Sequence, residues 1–180
     1  MARDTQRNRI YRAEAAYHTQ GLESFWKLEK FLANIQRRSW WKSFGVPPVD
    51  VSGYSYNYGC IPDFHPNSVS ISLQEPNELT RIHVLHRLAH VLCGKDHSQS
   101  DTPHDPEFVK MYLELMRRYY TDGPIDEQVK RDFKKALRAE NVKTKVVSEE
   151  TKAKQRAAMV QRMTPTEEDL LATLRGLEEL

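Results

Sequence analysis

The sequence predicts an α+β fold, a small antiparallel sheet packed on helices, with a histidine-bearing helix at its centre and a helical C-terminal extension. Three observations carry the class. Several segments place apolar residues at three- and four-residue steps, the period of a helix with one buried face. Two short stretches alternate apolar and polar residues instead, the period of a half-buried strand. All 17 Phe, Trp and Tyr fall between Tyr11 and Phe133, so the large core side chains belong to the first three-quarters of the chain.

Residues 3–18 bring Ile10, Tyr11, Ala13, Ala15, Ala16 and Tyr17 after an arginine-rich start, a helix-compatible but weakly amphipathic spacing. After Gly21 the pattern sharpens: Phe25, Leu28, Phe31, Leu32 and Ile35 predict a helix that ends near Arg37-Arg38-Ser39. Trp40, Trp41 and Phe44 precede Gly45 and Pro47-Pro48, which break it. Val49 and Val51, then Tyr54, Tyr56 and Tyr58, alternate, with Gly53 marking a bend. Val69, Ile71 and Leu73 alternate with serines. The turn-rich Pro62–Asn67 segment between these stretches makes an antiparallel pair the simplest arrangement.

Asn77 is the expected N-cap of the next helix, with Leu79, Ile82, Leu85, Ala89 and Leu92 on its apolar positions and Gly94 as its C-cap. A polar loop, 95–106, leads into a helix carrying Phe108, Met111, Tyr112, Leu115 and Tyr119. Val129, Phe133, Ala136 and Leu137 suggest one more. Ser148 is a candidate cap for a highly charged segment reaching Met163. Thr164-Pro165-Thr166-Glu167-Glu168 has the chemistry of a helix start, followed by a leucine face of Leu170, Leu171, Leu174 and Leu177.

This texture divides the chain into a packed unit, 1–123, and a charged helical extension, 124–180. The net charge of +2 conceals a sorted tail: residues 124–163 carry +5 and residues 164–180 carry −4. A near-neutral whole excludes a chain-wide nucleic-acid surface, and beyond Phe133 the basic segment lacks aromatics on which bases could stack. Nucleic acid therefore ranks below a protein partner or self-association through 164–180. No apolar run approaches the ~18 residues of a membrane span. Two cysteines, Cys60 and Cys93, make no disulfide framework. The polar, basic start lacks a signal-peptide pattern, so the expectation is a cytoplasmic protein with free thiols.

The chemistry concentrates in His83-x-x-His86-Arg87-Leu88-Ala89-His90. On a helix, His86 and His90 lie one turn apart on one face, able to share a metal ion, and His83 lies close to that face. His104 follows in His104-Asp105-Pro106-Glu107-Phe108, ahead of the next helix. Two histidines from a helix and a third from a following loop make a three-ligand set with an open fourth position. A metzincin-type continuation fails by register, because Gly94 and His97 come one residue late. Cys93, Asp96, His97 and Asp101 remain alternative ligands or solvated loop residues. His65 is expected in a turn. Tyr112 or Tyr119 could serve as a hydrogen-bond donor to the site or as core or rim.

The string Val84-Leu85-His86-Arg87-Leu88-Ala89-His90, then His104-Asp105-Pro106-Glu107-Phe108, resembles the V-L-H-E-L-A-H and H-G-P-E-F signatures of a metallohydrolase family. That family occurs in mycobacteria, corynebacteria and their phages and is similar to gluzincin-type zinc peptidases. Asp4-Thr5-Gln6-Arg7-Asn8-Arg9-Ile10-Tyr11-Arg12-Ala13-Glu14 is similar to its N-terminal D-x-Q-R-x-x-V-Y-x-A-E stretch. The matches span about residues 3–120. The resemblance implies a zincin-like histidine helix with His86, His90 and His104 as zinc ligands, a peptide substrate were the site active, and a bacterial host cytoplasm were the chain phage-encoded.

Arg87 departs from the pattern. The family has Glu there, and in H-E-x-x-H enzymes that carboxylate is the general base. A guanidinium, with a pKa above about 12, has no lone pair to offer at neutral pH, and its charge opposes a nearby dication. Three readings compete: a degenerate or inactive hydrolase that keeps the fold and the metal, a hydrolase with Glu107 as substitute base, or histidines that are only packed. Glu107 also fits support of a histidine ligand or a helix N-terminal acid. The alternative function is a non-catalytic phage-type interaction protein that acts on a host partner through its tail.

Overall fold

The computed structural model describes residues 6–17, 24–52, 62–73 and 79–144. In chain order the elements are α1 (Arg7–Ala15), α2 (Phe25–Arg37), α3 (Ser39–Lys42), β1 (Val49–Ser52), β2 (Asp63–Phe64), β3 (Val69–Ser72), α4 (Arg81–Cys93), α5 (Lys95–Ser98), α6 (Pro106–Tyr119) and α7 (Glu127–Ala139). The class is α+β, with a small three-stranded sheet and α4 in the middle of the helices.

The expected antiparallel sheet is corrected to a mixed one. Its strand order is β1-β3-β2. β1 runs parallel to β3, with Val49 opposite Val69 and Val51 opposite Ile71. The antiparallel partner of β3 is the two-residue β2, with Phe64 opposite Val69. The turn at 65–68 does close a hairpin, with the His65 N–H donating to the Ser68 carbonyl at 2.9 Å, but the hairpin joins β2 to β3. β1 lies on the far side of β3 from β2, so β1 and β2, consecutive in sequence, are not neighbours in the sheet. Alternation reports which face is buried and carries no information on strand direction. The edge of β1 is covered by α2: the Gln36 amide donates to the Val49 carbonyl and accepts from its N–H, both at 2.8 Å.

α4 is buried nearly all round, from Ile82 to Val91. A helix apolar on one face only packs at a surface, whereas this one sits against α6, α2, α5 and β3. It starts at Arg81 with Thr80 as its N-cap residue, later than the expected start. It stops at Gly94, whose φ of +87° is a conformation that few other residues adopt, as the spacing predicts. α6 begins two residues ahead of Phe108, because the Asp105 side chain accepts from the Glu107 and Phe108 N–H groups and Pro106 occupies the first helical position.

α7 lies beyond residue 123 yet packs into the same core. Phe133 and Leu137 are fully buried, and the Phe133 ring meets Tyr17 and Tyr112 edge-on at 5.1 and 5.0 Å. Arg9 donates to the Asn141 carbonyl and Arg12 pairs with Glu140, tying α1 to the end of α7. The compact unit containing these elements closes at Lys145. The aromatics end within this helix, whose buried face is made of Phe133, Leu137 and the half-buried Val129 and Ala136.

The continuation of the first strand through Tyr54, Tyr56 and Tyr58, the Asn77 cap, Cys60, the Ser148–Met163 segment and the leucine face of 164–180 lie outside the described residues. Among the described residues no helix is long and apolar enough to cross a membrane.

Candidate metal centre

His86 and His90 project from one side of α4, and His104 reaches them from the loop ahead of α6. All three are buried, at 3%, 0% and 2% exposure. One nitrogen of each lies within 4.8 Å of those of the other two. The ring centroids stand 5.1 Å apart for His86–His90, 5.2 Å for His86–His104 and 4.7 Å for His90–His104. These three histidines are close enough to hold a metal ion, as their spacing in the sequence suggested.

Local structure holds each in place. The i, i+4 spacing on a fully packed helix fixes His86 and His90. The Ser98 hydroxyl donates to the His90 carbonyl at 3.0 Å and secures the chain leaving α4. His104 is pinned directly ahead of the Asp105 cap, and its carbonyl accepts from the Gln6 amide at 2.8 Å. Phe108 packs against all three rings, with centroids 5.0, 4.4 and 4.9 Å from His86, His90 and His104.

A carboxylate completes the arrangement. Glu14, on α1, is 1% exposed and places Oε1 2.6 Å from His86 Nδ1. A carboxylate can only accept, so this contact puts a proton on Nδ1 and leaves the lone pair of the neutral ring on Nε2. That Nε2 lies 3.2 Å from His104 Nε2. Two nitrogens bound at ordinary zinc distances to one tetrahedral ion stand about 3.3 Å apart, so the pair already has the spacing of a shared ligand edge. Tyr112 packs its ring on His86 at 5.4 Å. Burial, then the charge and hydrogen bond of Glu14, push the Tyr112 phenol well above its ordinary value. Tyr112 thus belongs to the wall of the site and to the core together.

The other predicted residues are placed as follows. Arg87 is buried, at 4% exposure. Glu107 is exposed in the first turn of α6 and is not part of the histidine group. Asp96 and Asp101 are exposed and outside the group as well. Cys93 is partly buried, and its thiol is pushed up to about 12 by burial first and then by Asp105 and Glu107. A thiol held protonated is a poor ligand unless a metal displaces the proton. His83 is hydrogen-bonded through Nδ1 to the Thr80 hydroxyl at 2.7 Å, at the start of the helix. Tyr119 lines a separate cleft with Trp40. The side chain of His97 lies outside the described residues.

Glu14 is the residue that motif reasoning did not single out. A signal for it exists: Ile10, Ala13, Glu14 and Tyr17 follow helical steps, so an acid sits on the apolar face of α1. A carboxylate on a buried face needs a partner, and the buried histidines supply one. Compared with protein families, with curated proteins and with solved structures, the chain matches none.

Proposed function

We propose that the chain is a zinc-binding, metallohydrolase-like protein whose hydrolytic activity is lost through Arg87. The observation that carries this reading is the buried His86–His90–His104 group with Glu14 on the outer nitrogen of His86. Three imidazoles suit zinc among the divalent ions, and a carboxylate behind a histidine ligand is the usual device for fixing its tautomer and raising its basicity. Glu14 also brings a carboxylate beside the histidine group, where a negative charge favours a dication. A bound divalent ion would supply Lewis-acid polarisation of a substrate oxygen. This chain's His86, His90 and His104 would hold the ion, and Phe108, Tyr112 and Tyr11 pack their rings on His86. At the motif position the general base is replaced. Arg87 cannot accept a proton, and the exposed Glu107 stands outside the histidine group. The zincin-like fold and the family membership belong to this same proposal and rest on the motif strings.

The test is the metal content of protein purified without a histidine tag, measured for the unmodified chain and for Arg87→Glu, with peptide hydrolysis assayed in both. Zinc in both proteins, with hydrolysis only in the variant, is the expected result. Zinc-free preparations of both that also fail to take up added zinc would remove the metal site. Hydrolysis by the unmodified chain would remove the inactive reading.

A further inference from the structure

A second site lies on the surface formed by α2, α3 and the C-terminal end of α6. A cleft of about 400 Å³ opens there between Phe31, Arg38, Trp40, Arg118, Tyr119 and the 121–125 loop. That volume lies in the range of small-molecule sites, roughly 300–1,000 Å³. Phe31, Trp40 and Tyr119 give part of its wall an aromatic surface. Trp40 stacks edge-on with Phe44 at 4.9 Å and tilts against Tyr119 at 6.1 Å.

The charge is one-sided. The Arg118 guanidinium sits over the Trp40 ring at 4.6 Å, and Arg81 sits over Phe31 at 5.1 Å. Arg38, Arg118 and Tyr119 line the cleft together; burial raises the Tyr119 phenol, Arg118 and Arg38 act against that rise, and Glu114 adds to it. The acid on the cleft wall, Asp122, is engaged by Arg81 at 2.6 Å. Arg118 shares Glu114 with Arg117 and Lys130, three cations on one carboxylate. Among the described residues no carboxylate pairs with Arg38. Cations outnumber acids at the cleft, and a guanidinium fork beside a phenol hydroxyl is suited to an oxyanion.

We propose that this cleft binds a small ligand made of a flat aromatic ring and an oxyanion group, the ring against Trp40 and Phe31 and the oxyanion at Arg38 and Tyr119. The shared chemistry is that of an aromatic phosphate or carboxylate.

Titrations of the full chain with phenyl phosphate, benzoate, inorganic phosphate and benzylamine test this, followed by amide chemical shifts of Ser39, Tyr119, Asp122 and Ile125. Phenyl phosphate or benzoate should shift these resonances saturably, and which of the two binds tighter identifies the oxyanion. Arg38→Gln should weaken that binding about tenfold, the weight of one charge-assisted hydrogen-bonded pair. Arg38→Lys, which keeps the charge and loses the fork, should bind more tightly than Arg38→Gln and less tightly than the unmodified chain, and this separates loss of charge from loss of fold. Benzylamine binding as well as benzoate would overturn the charge argument. Inorganic phosphate binding as well as phenyl phosphate would overturn the aromatic one. Shifts absent with every probe up to millimolar concentration would overturn the site.

Discussion

Glu14 and His86, 72 positions apart in sequence, meet at 2.6 Å with both side chains almost fully buried. The contact joins the N-terminal helix to the central one and sets which imidazole nitrogen faces His104. Glu14→Gln keeps the size but removes the charge, and its amide can present a donor to Nδ1 in place of an acceptor. Metal affinity should fall about 10–100-fold, the usual effect of losing such a partner. Competition against a chromogenic zinc chelator measures it, and an unchanged far-ultraviolet circular dichroism spectrum shows that the fold survives.

The same geometry predicts coupling between metal and stability. An ion that binds only the folded chain stabilises it by about 2.7 kcal/mol when present at one hundred times its dissociation constant. Added zinc should therefore raise the thermal midpoint of the unmodified chain, and EDTA should reverse the rise. In His104→Ala the zinc-dependent rise should shrink, since one ligand of three is gone. An equal rise in both proteins would locate the binding elsewhere.

How much of this was legible in the sequence depends on what each signal reports. α2, α6 and α7 show themselves because each buries one face and leaves the other to solvent. α4 shows its period less clearly, since nearly every position from Ile82 to Val91 is buried and little polar face remains to contrast. The three histidines were legible because two share a helix turn and the third sits at a helix start. The sheet was half legible: Val69 and Ile71 marked the buried face of β3, but alternation is blind to direction, and β2 is too short to carry a period. Glu14 was hidden in an arginine-rich helix, where one acid looks like surface charge until Ile10 and Ala13 are placed beside it.

The boundary of the folding unit follows from Phe133. Its ring contacts Tyr17 and Tyr112, and Tyr112 in turn packs on His86. Phe133→Ala should destabilise the chain by about 3–5 kcal/mol, the cost of emptying a fully buried aromatic site. A chain ended at residue 123 exposes those partners and should lose cooperative unfolding, whereas one ended at 145 should keep it. Urea titrations followed by tryptophan fluorescence distinguish the two.

Cys93 should be a slow nucleophile. With its thiol at about 12, its thiolate fraction at pH 8 is on the order of 10³ below that of an ordinary cysteine. Iodoacetamide at pH 8 should therefore label Cys93 far more slowly in the folded chain than in urea, as read by peptide mass spectrometry. Equal rates would show that the thiol is not held in its buried position.

Glu114 gives the pH dependence. Burial alone would raise its carboxyl, but hydrogen bonds from Arg117, Arg118 and Lys130 outweigh that and hold it below the ordinary value of 4.5. A group whose pKa is lower in the folded state stabilises the fold fully above its unfolded pKa. That contribution is lost as pH falls from about 4.5 through the folded value, because protonation then costs the native ion pairs. Glu114→Gln removes the linkage and keeps an acceptor on the same three donors. Its urea midpoint should lie below that of the unmodified chain at pH 7, and the gap should narrow as pH falls below about 4.5. Arg118→Gln should reproduce part of the narrowing, since it removes one of the cations that hold the carboxylate ionised. A gap independent of pH between 7 and 3 would mean that Glu114 acts through packing and not through its charge.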